Sequence, residues 1–277
     1  MTVTAADVKK LRERTGLPLM DCKRALGEAE GDQDKAIELL RKRGQQVLEK
    51  RAGRETAFGR FGLYTGSDKD CGAIVELMCE SAPVTQNDEF IQLANDLACQ
   101  LATGPGAETV EELLEQPSPS KDGMTLREQK EDLFNRIREV FNVGRFHRVQ
   151  GATGGYSHNA GTVSGVLLIV EGGNDDVAKD VSMHIAAMRP AALAVEDISA
   201  DEIAKEREIL KGAALAEGKP ENIVEKMVEG RLRNYYAERV LLEQPFVKDD
   251  KQTVGGFADS HGMKINKFIH WELGDDS

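Results

Sequence analysis

Glu76, inside the apolar run Cys71-Gly-Ala-Ile-Val-Glu-Leu-Met78, and Glu171, closing Gly165-Val-Leu-Leu-Ile-Val-Glu171, are the carboxylates of this chain with the most unusual surroundings. A carboxylate among apolar neighbours is costly unless it is paired. With His158, in Tyr156-Ser-His158, the two could furnish an acid–base set for hydrolysis, provided that all three converge in one pocket. The commoner fate of such carboxylates is an ion pair or solvation at a sheet edge. Stronger catalytic patterns are missing: the sequence has no Gly-x-x-x-x-Gly-Lys-Ser/Thr, no His-Glu-x-x-His and no Gly-x-Ser-x-Gly. Gly151-Ala-Thr-Gly-Gly155 could cradle a phosphate if a helix amino terminus followed it. A strand and a turn follow instead, so close packing of a strand accounts for these glycines better. Cys22, Cys71, Cys79 and Cys99 form no Cys-x-x-Cys pair and no repeated spacing with His, which points to reduced thiols and the cytosol. No metal site and no cofactor are expected. His184, flanked by Met183 and Ile185, reads as a structural residue, and His147, His261 and His270 carry no pattern.

The elements that must hold these residues number more than one core can accommodate, since 277 residues suggest two or three units. A formal charge of −12 argues against a nucleic-acid backbone as a general partner. The longest apolar run, Gly165 to Val170, is far too short to cross a bilayer, and residues 1–20 hold no continuous apolar segment of the secretory kind.

Three short helices fit residues 4–43. Thr4 caps the first, Leu19 to Glu30 forms the second, and Gly31-Asp32 supplies a stop and a new cap before Ala36, Ile37, Leu39 and Leu40. Such compact three-helix modules resemble ubiquitin-associated domains. Residues 45–57 read as a charged, helix-tolerant connector with no clear inner face. Phe58–Tyr64 and Cys71–Met78 then read as strands joined by the turn 66–70, followed by a helix from Phe90 to Leu101, a turn-rich stretch and a helix from Leu126 to Phe141. The pattern returns after residue 148: a Gly-rich strand ending in Tyr156, a polar turn, a Gly-led apolar strand with Glu171, and a helix over 175–188. The echo indicates an internal duplication. An antiparallel helical hairpin over 196–242 follows, with Ile203, Ile209, Leu210 and Leu215 on one arm, Ile223, Met227, Leu232 and Tyr236 on the other, and Gly218-Lys-Pro220 at its tip. Gln244-Pro-Phe-Val247 leads into a last strand, 266–272. The fold class is therefore α+β: an amino-terminal UBA-like module (1–44), a linker (45–57), two related core subdomains (58–145; 146–195 with 243–277) and the hairpin.

The most informative segment is Arg12-Glu-Arg-Thr-Gly-Leu-Pro-Leu-Met-Asp-Cys-Lys-Arg-Ala-Leu26. Its Thr-Gly break separates two helical patterns and presents Leu17, Leu19 and Met20 with few polar neighbours. Three apolar side chains exposed on a short turn form a docking point.

This segment, with Gly31-Asp, Leu40-Arg-Lys-Arg-Gly44, Ile223-Val-Glu-Lys-Met-Val-Glu-Gly-Arg231 and Gln244-Pro-Phe-Val247, resembles the bacterial elongation factor Ts family along nearly the whole chain. The resemblance implies a non-enzymatic guanine-nucleotide exchange factor for the translational GTPase elongation factor Tu, with no direct contact to nucleic acid or membrane. It leaves a homodimer or a 2:2 complex open. It implies partner contacts at Arg14, Thr15, Gly16, Leu17, Leu19, Met20 and Lys23, and at His158, which matches the family's Tyr-x-His turn. It also implies a loop that disturbs the partner's magnesium site, at Ser81, Ala82, Pro83 and Val84. There the family carries Thr-Asp-Phe-Val-Ala, whereas this chain has Ser81-Ala-Pro-Val-Thr85, so the wedge has lost its carboxylate and its ring. That departure supports an alternative, a binding or regulatory factor of the same GTPase with weakened exchange. A hydrolase built on Glu76, Glu171 and His158, or a ubiquitin-binding adaptor, would leave the other motifs unexplained.

Overall fold

The computed structural model describes residues 3–51, 53–217 and 220–275. They divide into two units: one holds the described residues up to Tyr64 with Ala73–Arg148 and Leu273 onward, the other Thr65–Gly72 with Val149–Glu272. The protein is α+β, with three helices preceding mixed helix and sheet.

In the first unit, α1 (Ala5–Thr15), α2 (Leu19–Glu28) and α3 (Gln33–Arg51) form the amino-terminal module. Thr4 and Asp7 make a reciprocal capping box, with the Asp7 amide donating to Thr4 Oγ1 at 3.3 Å and the Thr4 amide donating to Asp7 at 3.0 Å. Asp32 accepts from the Asp34 and Lys35 amides and starts α3 as expected. Val8, Leu11, Cys22, Ala25, Leu26, Ala36 and Leu40 close the small core. One boundary differs from the sequence reading: α3 does not stop at Gly44 but runs to Arg51, through the start of the expected connector. Gly44 is no breaker there. A Cβ at this position would lie 1.8 Å from Asn135 Oδ1, so the missing side chain lets α3 lie against α6 (Leu126–Ile137).

The same unit carries a sheet in the order β1 (Phe58–Tyr64), β2 (Cys71–Cys79), β3 (Phe141–Gln150), with α4 (Asp88–Thr103) packed on β1 and the short α5 (Val110–Leu114) before α6. The helix expected to reach Phe141 stops short of it, and β3 begins at that residue. Helix α6 ends at Arg138, which takes the left-handed conformation at φ 67° and donates its amide to Phe134 O. A non-glycine residue in this role gives no sign in the sequence.

The second unit repeats the plan with its own parts. Strands β4 (Thr153–His158), β5 (Ser164–Gly172) and β8 (Met263–Glu272) pair antiparallel, and α7 (Asp175–Met188) packs on β4 and β5. In both units a strand glycine admits the covering helix. A Cβ at Gly62 would stand 1.9 Å from Ala94 O, and one at Gly154 would stand 2.4 Å from Ala178 Cβ. Gly154 thus serves close packing of helix on sheet, whereas Gly151, at φ 99° with open space around it, serves the turn before β4.

Helices α8 (Ala200–Ala216) and α9 (Glu221–Arg239) form the hairpin; the expected tip residues Gly218 and Lys219 lie outside the described residues. The seam follows the sequence reading at Leu210, Met227, Leu232 and Tyr236 and departs from it at Ile209, Leu215 and Ile223. Ala214, Val224, Val228 and Leu232 are buried together, with Leu210, Met227 and Tyr236 beside them, while Ile209, Leu215 and Ile223 face solvent. Small and β-branched residues let the two helices approach, and charges elsewhere on both helices blur the apolar stripe. The short strands β6 (Pro245–Phe246) and β7 (Asp249–Thr253) and the helix α10 (Val254–Ser260) precede β8.

Candidate functional site

The residues suited to acid–base work are otherwise engaged. The Glu76 carboxylate is buried in β2 and receives the Arg145 amide, Nε and Nη2 at 3.2, 3.2 and 3.0 Å, the ion pair that such a position requires. Glu171 is exposed near the end of β5 and accepts from Asn266 Nδ2 at 2.8 Å. His158, expected in a turn, is the half-buried last residue of β4, and its Nδ1 lies 3.1 Å from the Tyr156 hydroxyl, which turns Nε2 the other way. Among the described residues no group of three or more His, Cys, Asp and Glu could hold a metal ion, and no helix is long and apolar enough to cross a membrane.

His184 and Gln244 explain the Gln-Pro-Phe-Val motif. The Val247 amide donates to His184 Nδ1 at 3.2 Å, so Nδ1 is unprotonated and Nε2 carries the hydrogen directed at Gln244 Oε1, 2.9 Å away. Gln244 Nε2 in turn donates to Glu238 O, and Phe246 stacks on Phe257 with ring centroids 4.2 Å apart. Burial lowers the His184 pKa from its ordinary value, and the Gln244 contact only partly opposes this. The unfolded chain then binds the proton more readily than the fold. His184 contributes its full stability above about pH 6.5 and loses it as pH falls below that value. The denaturant midpoint of the second unit should therefore drop between about pH 7.5 and about pH 5.5, and His184→Gln should shrink that difference.

The surface features lie in the first unit. At the apolar turn, Gly16 caps α1 at φ 67° with its amide on Arg12 O, and Thr15 Oγ1 donates to Leu11 O at 2.8 Å. This reversal turns Leu17 inward. It is 7% exposed and belongs to the module's core, a correction to the expectation of three exposed apolar residues. Leu19 and Met20, in the first turn of α2, are 47% and 62% exposed. Lys23 is exposed one turn on, and with Met20, Arg24, Gly27 and Glu28 it lines an open groove. Arg14 is tied to Asp34 at 3.0 Å, an exposed pair of little energetic weight.

Residues 82–86, after β2, form a single 3₁₀ turn with Pro83 in its first positions. Val84 is buried beneath it, while Ala82 and Pro83 are exposed at its tip. Thr85 Oγ1 donates to Ala82 O at 2.7 Å, and Arg60 Nη1 donates to Thr85 O at 2.8 Å. Ser81 donates from its amide and its hydroxyl to the two oxygens of Glu139, at 3.0 and 2.5 Å. Asn87 then caps α4. Cys79, which donates to Ser81 O, is pushed up to about 12 by burial, with the Glu139 charge adding to it, so its thiol is inert at cellular pH.

Arg136 and Arg138 tie the end of α6 to α4 and to the amino-terminal module. The Arg136 guanidinium pairs with Glu89, in the first turn of α4, and with Asp132, while its Cδ would stand 2.9 Å from a Cβ at Gly16. Arg138 Nη2 donates to Asp21 of α2 at 2.8 Å. Ser81 to Val84 and Arg14 to Lys23 thus belong to one unit, whereas His158 belongs to the other. The roles of Arg136, Arg138 and Glu139 escape a reading of the sequence, because each acts on a partner far along the chain.

A family model described as Elongation factor TS matches residues 80–275. Elongation factor Ts of Methylococcus capsulatus is 42% identical over 278 residues, covering 99% of this chain and 93% of the relative. The proteins of the same name from Thioalkalivibrio sulfidiphilus and Clostridium botulinum (strain Eklund 17B) are 40% and 42% identical, at the same coverage of both chains. The chain therefore belongs to the elongation factor Ts family.

Proposed function

We propose that this chain is a guanine-nucleotide exchange factor of translation elongation: it binds elongation factor Tu·GDP and promotes GDP release by disturbing the magnesium and phosphate site of that GTPase. The carrying observation is that one unit holds both an exposed apolar turn, Leu19 and Met20, and an exposed tip, Ala82 and Pro83, pinned from beneath. The first feature suits anchoring and the second suits displacement. His158 serves as a separate contact from the second unit. The factor makes and breaks no covalent bond. It binds the vacant GTPase more tightly than the loaded one, and linkage lowers nucleotide affinity by the same factor. A shift on the order of 10⁴-fold requires about 5.5 kcal/mol of differential binding, more than any single contact supplies, so turn and tip must act together. The magnesium is the partner's. A net charge of −12 fits a cytoplasmic protein that binds neither nucleic acid nor membrane; a homodimer or a 2:2 complex with the GTPase is compatible with this reading.

A second reading, the same partner with weakened exchange, rests on the tip itself, where Ala82 and Pro83 offer a small, uncharged wedge. Stopped-flow release of a fluorescent GDP from elongation factor Tu separates the two. A strong, saturable acceleration by this chain establishes exchange. Tight binding with little acceleration establishes the second reading, and neither effect removes both.

A further inference from the structure

Two carboxylates cross at the base of the tip. Glu80, the last residue before it, accepts from the Val140 amide at 2.8 Å and from Arg54 Nη1 at 2.8 Å. Burial alone would raise its pKa, but the Val140 amide and the Arg54 guanidinium outweigh this and hold it below the ordinary value. Glu139, directly before Val140, reaches back to the Ser81 amide and hydroxyl. Each segment's side chain thus holds the other's backbone, a reciprocal clasp of charge-assisted hydrogen bonds. The neighbouring Arg138 sits at φ 67°, a conformation unfavourable for a residue with a side chain. It is held there from three directions: its amide donates to Phe134 O, its carbonyl accepts from Arg51 of α3, and its guanidinium holds Asp21 of α2. Backbone strain fixed on several sides at once belongs to places where geometry matters more than stability.

We propose that Arg138, Glu139 and Val140 form a rigid junction that sets the tip at 81–86 against the apolar turn at 17–20, with Glu139 as a positioning residue for nucleotide release; this rests on the exchange reading above. The partner is gripped at the turn and strained at the tip, so the junction carries force from one to the other. Loosening it leaves the grip intact while the tip yields in place of the partner's site. Glu139 touches neither nucleotide nor magnesium and acts through Ser81.

The test uses the full-length chain with Glu139→Gln, which keeps the volume but removes the charge, so that neither Ser81 group meets a charged acceptor, and with Glu139→Asp as the conservative variant. GDP release is followed over a range of factor concentrations. For Glu139→Gln the maximal rate should fall about tenfold while the half-saturating concentration changes by less than about threefold, the loss being that of a hydrogen bond to a charged acceptor. Glu139→Asp should recover part of the rate. Ser81→Ala in the Glu139→Gln background should add little, because both changes cut the same contact. An unchanged maximal rate in a folded Glu139→Gln chain overturns the proposal, as does a loss of rate matched by an equal loss of affinity. Amide hydrogen exchange over residues 81–87 gives a readout that needs no partner. Protection lost in Glu139→Gln, with α4 unaffected, supports the junction, and unaltered protection overturns it. Should the unmodified chain fail to speed GDP release, the exchange reading fails, and the exchange protection alone then decides whether Glu139 orders the tip.

Discussion

Met20→Asp is expected to weaken binding to nucleotide-free elongation factor Tu by roughly thirtyfold or more, with the melting transition of the free chain left in place. Met20 is 62% exposed and lies outside the cluster beneath α2, so the free chain loses little by its replacement. A carboxylate forced against an apolar partner surface costs about 2 kcal/mol or more, which corresponds to that factor. Leu17→Ala should do the opposite. Its side chain fills the module's core, and removing it costs about 2–5 kcal/mol of stability, a large share for so small a bundle. Calorimetric titration against the vacant GTPase, together with thermal denaturation of both variants, separates the two effects. Wild-type affinity in Met20→Asp would remove the turn from the interface.

Ala82→Asp combined with Pro83→Phe should raise the rate of GDP release above that of the unmodified chain. The pair restores the carboxylate and ring that the family pattern carries at these positions. Both residues are exposed, so the change leaves the packing beneath Val84 intact. Burying an aromatic ring in the partner is worth about 1.5–3 kcal/mol, and if all of it were expressed in the barrier the gain would be roughly ten- to hundredfold. Stopped-flow measurement with a fluorescent GDP checks this. An equal or slower rate would mean that the tip acts as a spacer and that strain enters the partner elsewhere.

The amino-terminal module was legible in the sequence because its signals are local: a capping box at Thr4 and Asp7, a left-handed Gly16, an Asx cap at Asp32 and apolar residues at helical spacing. The strand–strand–helix succession in each unit was legible for the same reason, since alternating and 3.6-fold patterns need no distant partner. What stayed hidden depends on contacts far along the chain. The helix read through to Phe141 ends instead at Arg138, where Asp21 and Arg51 stabilise a conformation that sequence reserves for glycine. Part of the hairpin seam was misread because Ile209, Leu215 and Ile223 are more hydrophobic than Ala214 and Val224, yet the smaller residues permit close approach; Leu210, Met227, Leu232 and Tyr236 lie where the spacing puts them. At the candidate site, the apolar spacing marked Leu19 and Met20, and the family resemblance alone marked the tip. Only coordinates could separate Leu17 from its neighbours or find Glu139 beneath Ser81.

The tip also bears on the entropy of association. Its backbone is closed by Thr85 on Ala82, tied by Arg60 and fixed at its entrance by Ser81, and the two residues at its summit have almost no rotamers to lose. A flexible loop ending in a long side chain would surrender about 0.5–1.5 kcal/mol per immobilised group on meeting its target, and a carboxylate would shed its hydration as well. On the proposed reading this knob meets the GTPase already ordered and uncharged, so the small disorder it gives up offsets in part what it lacks in reach.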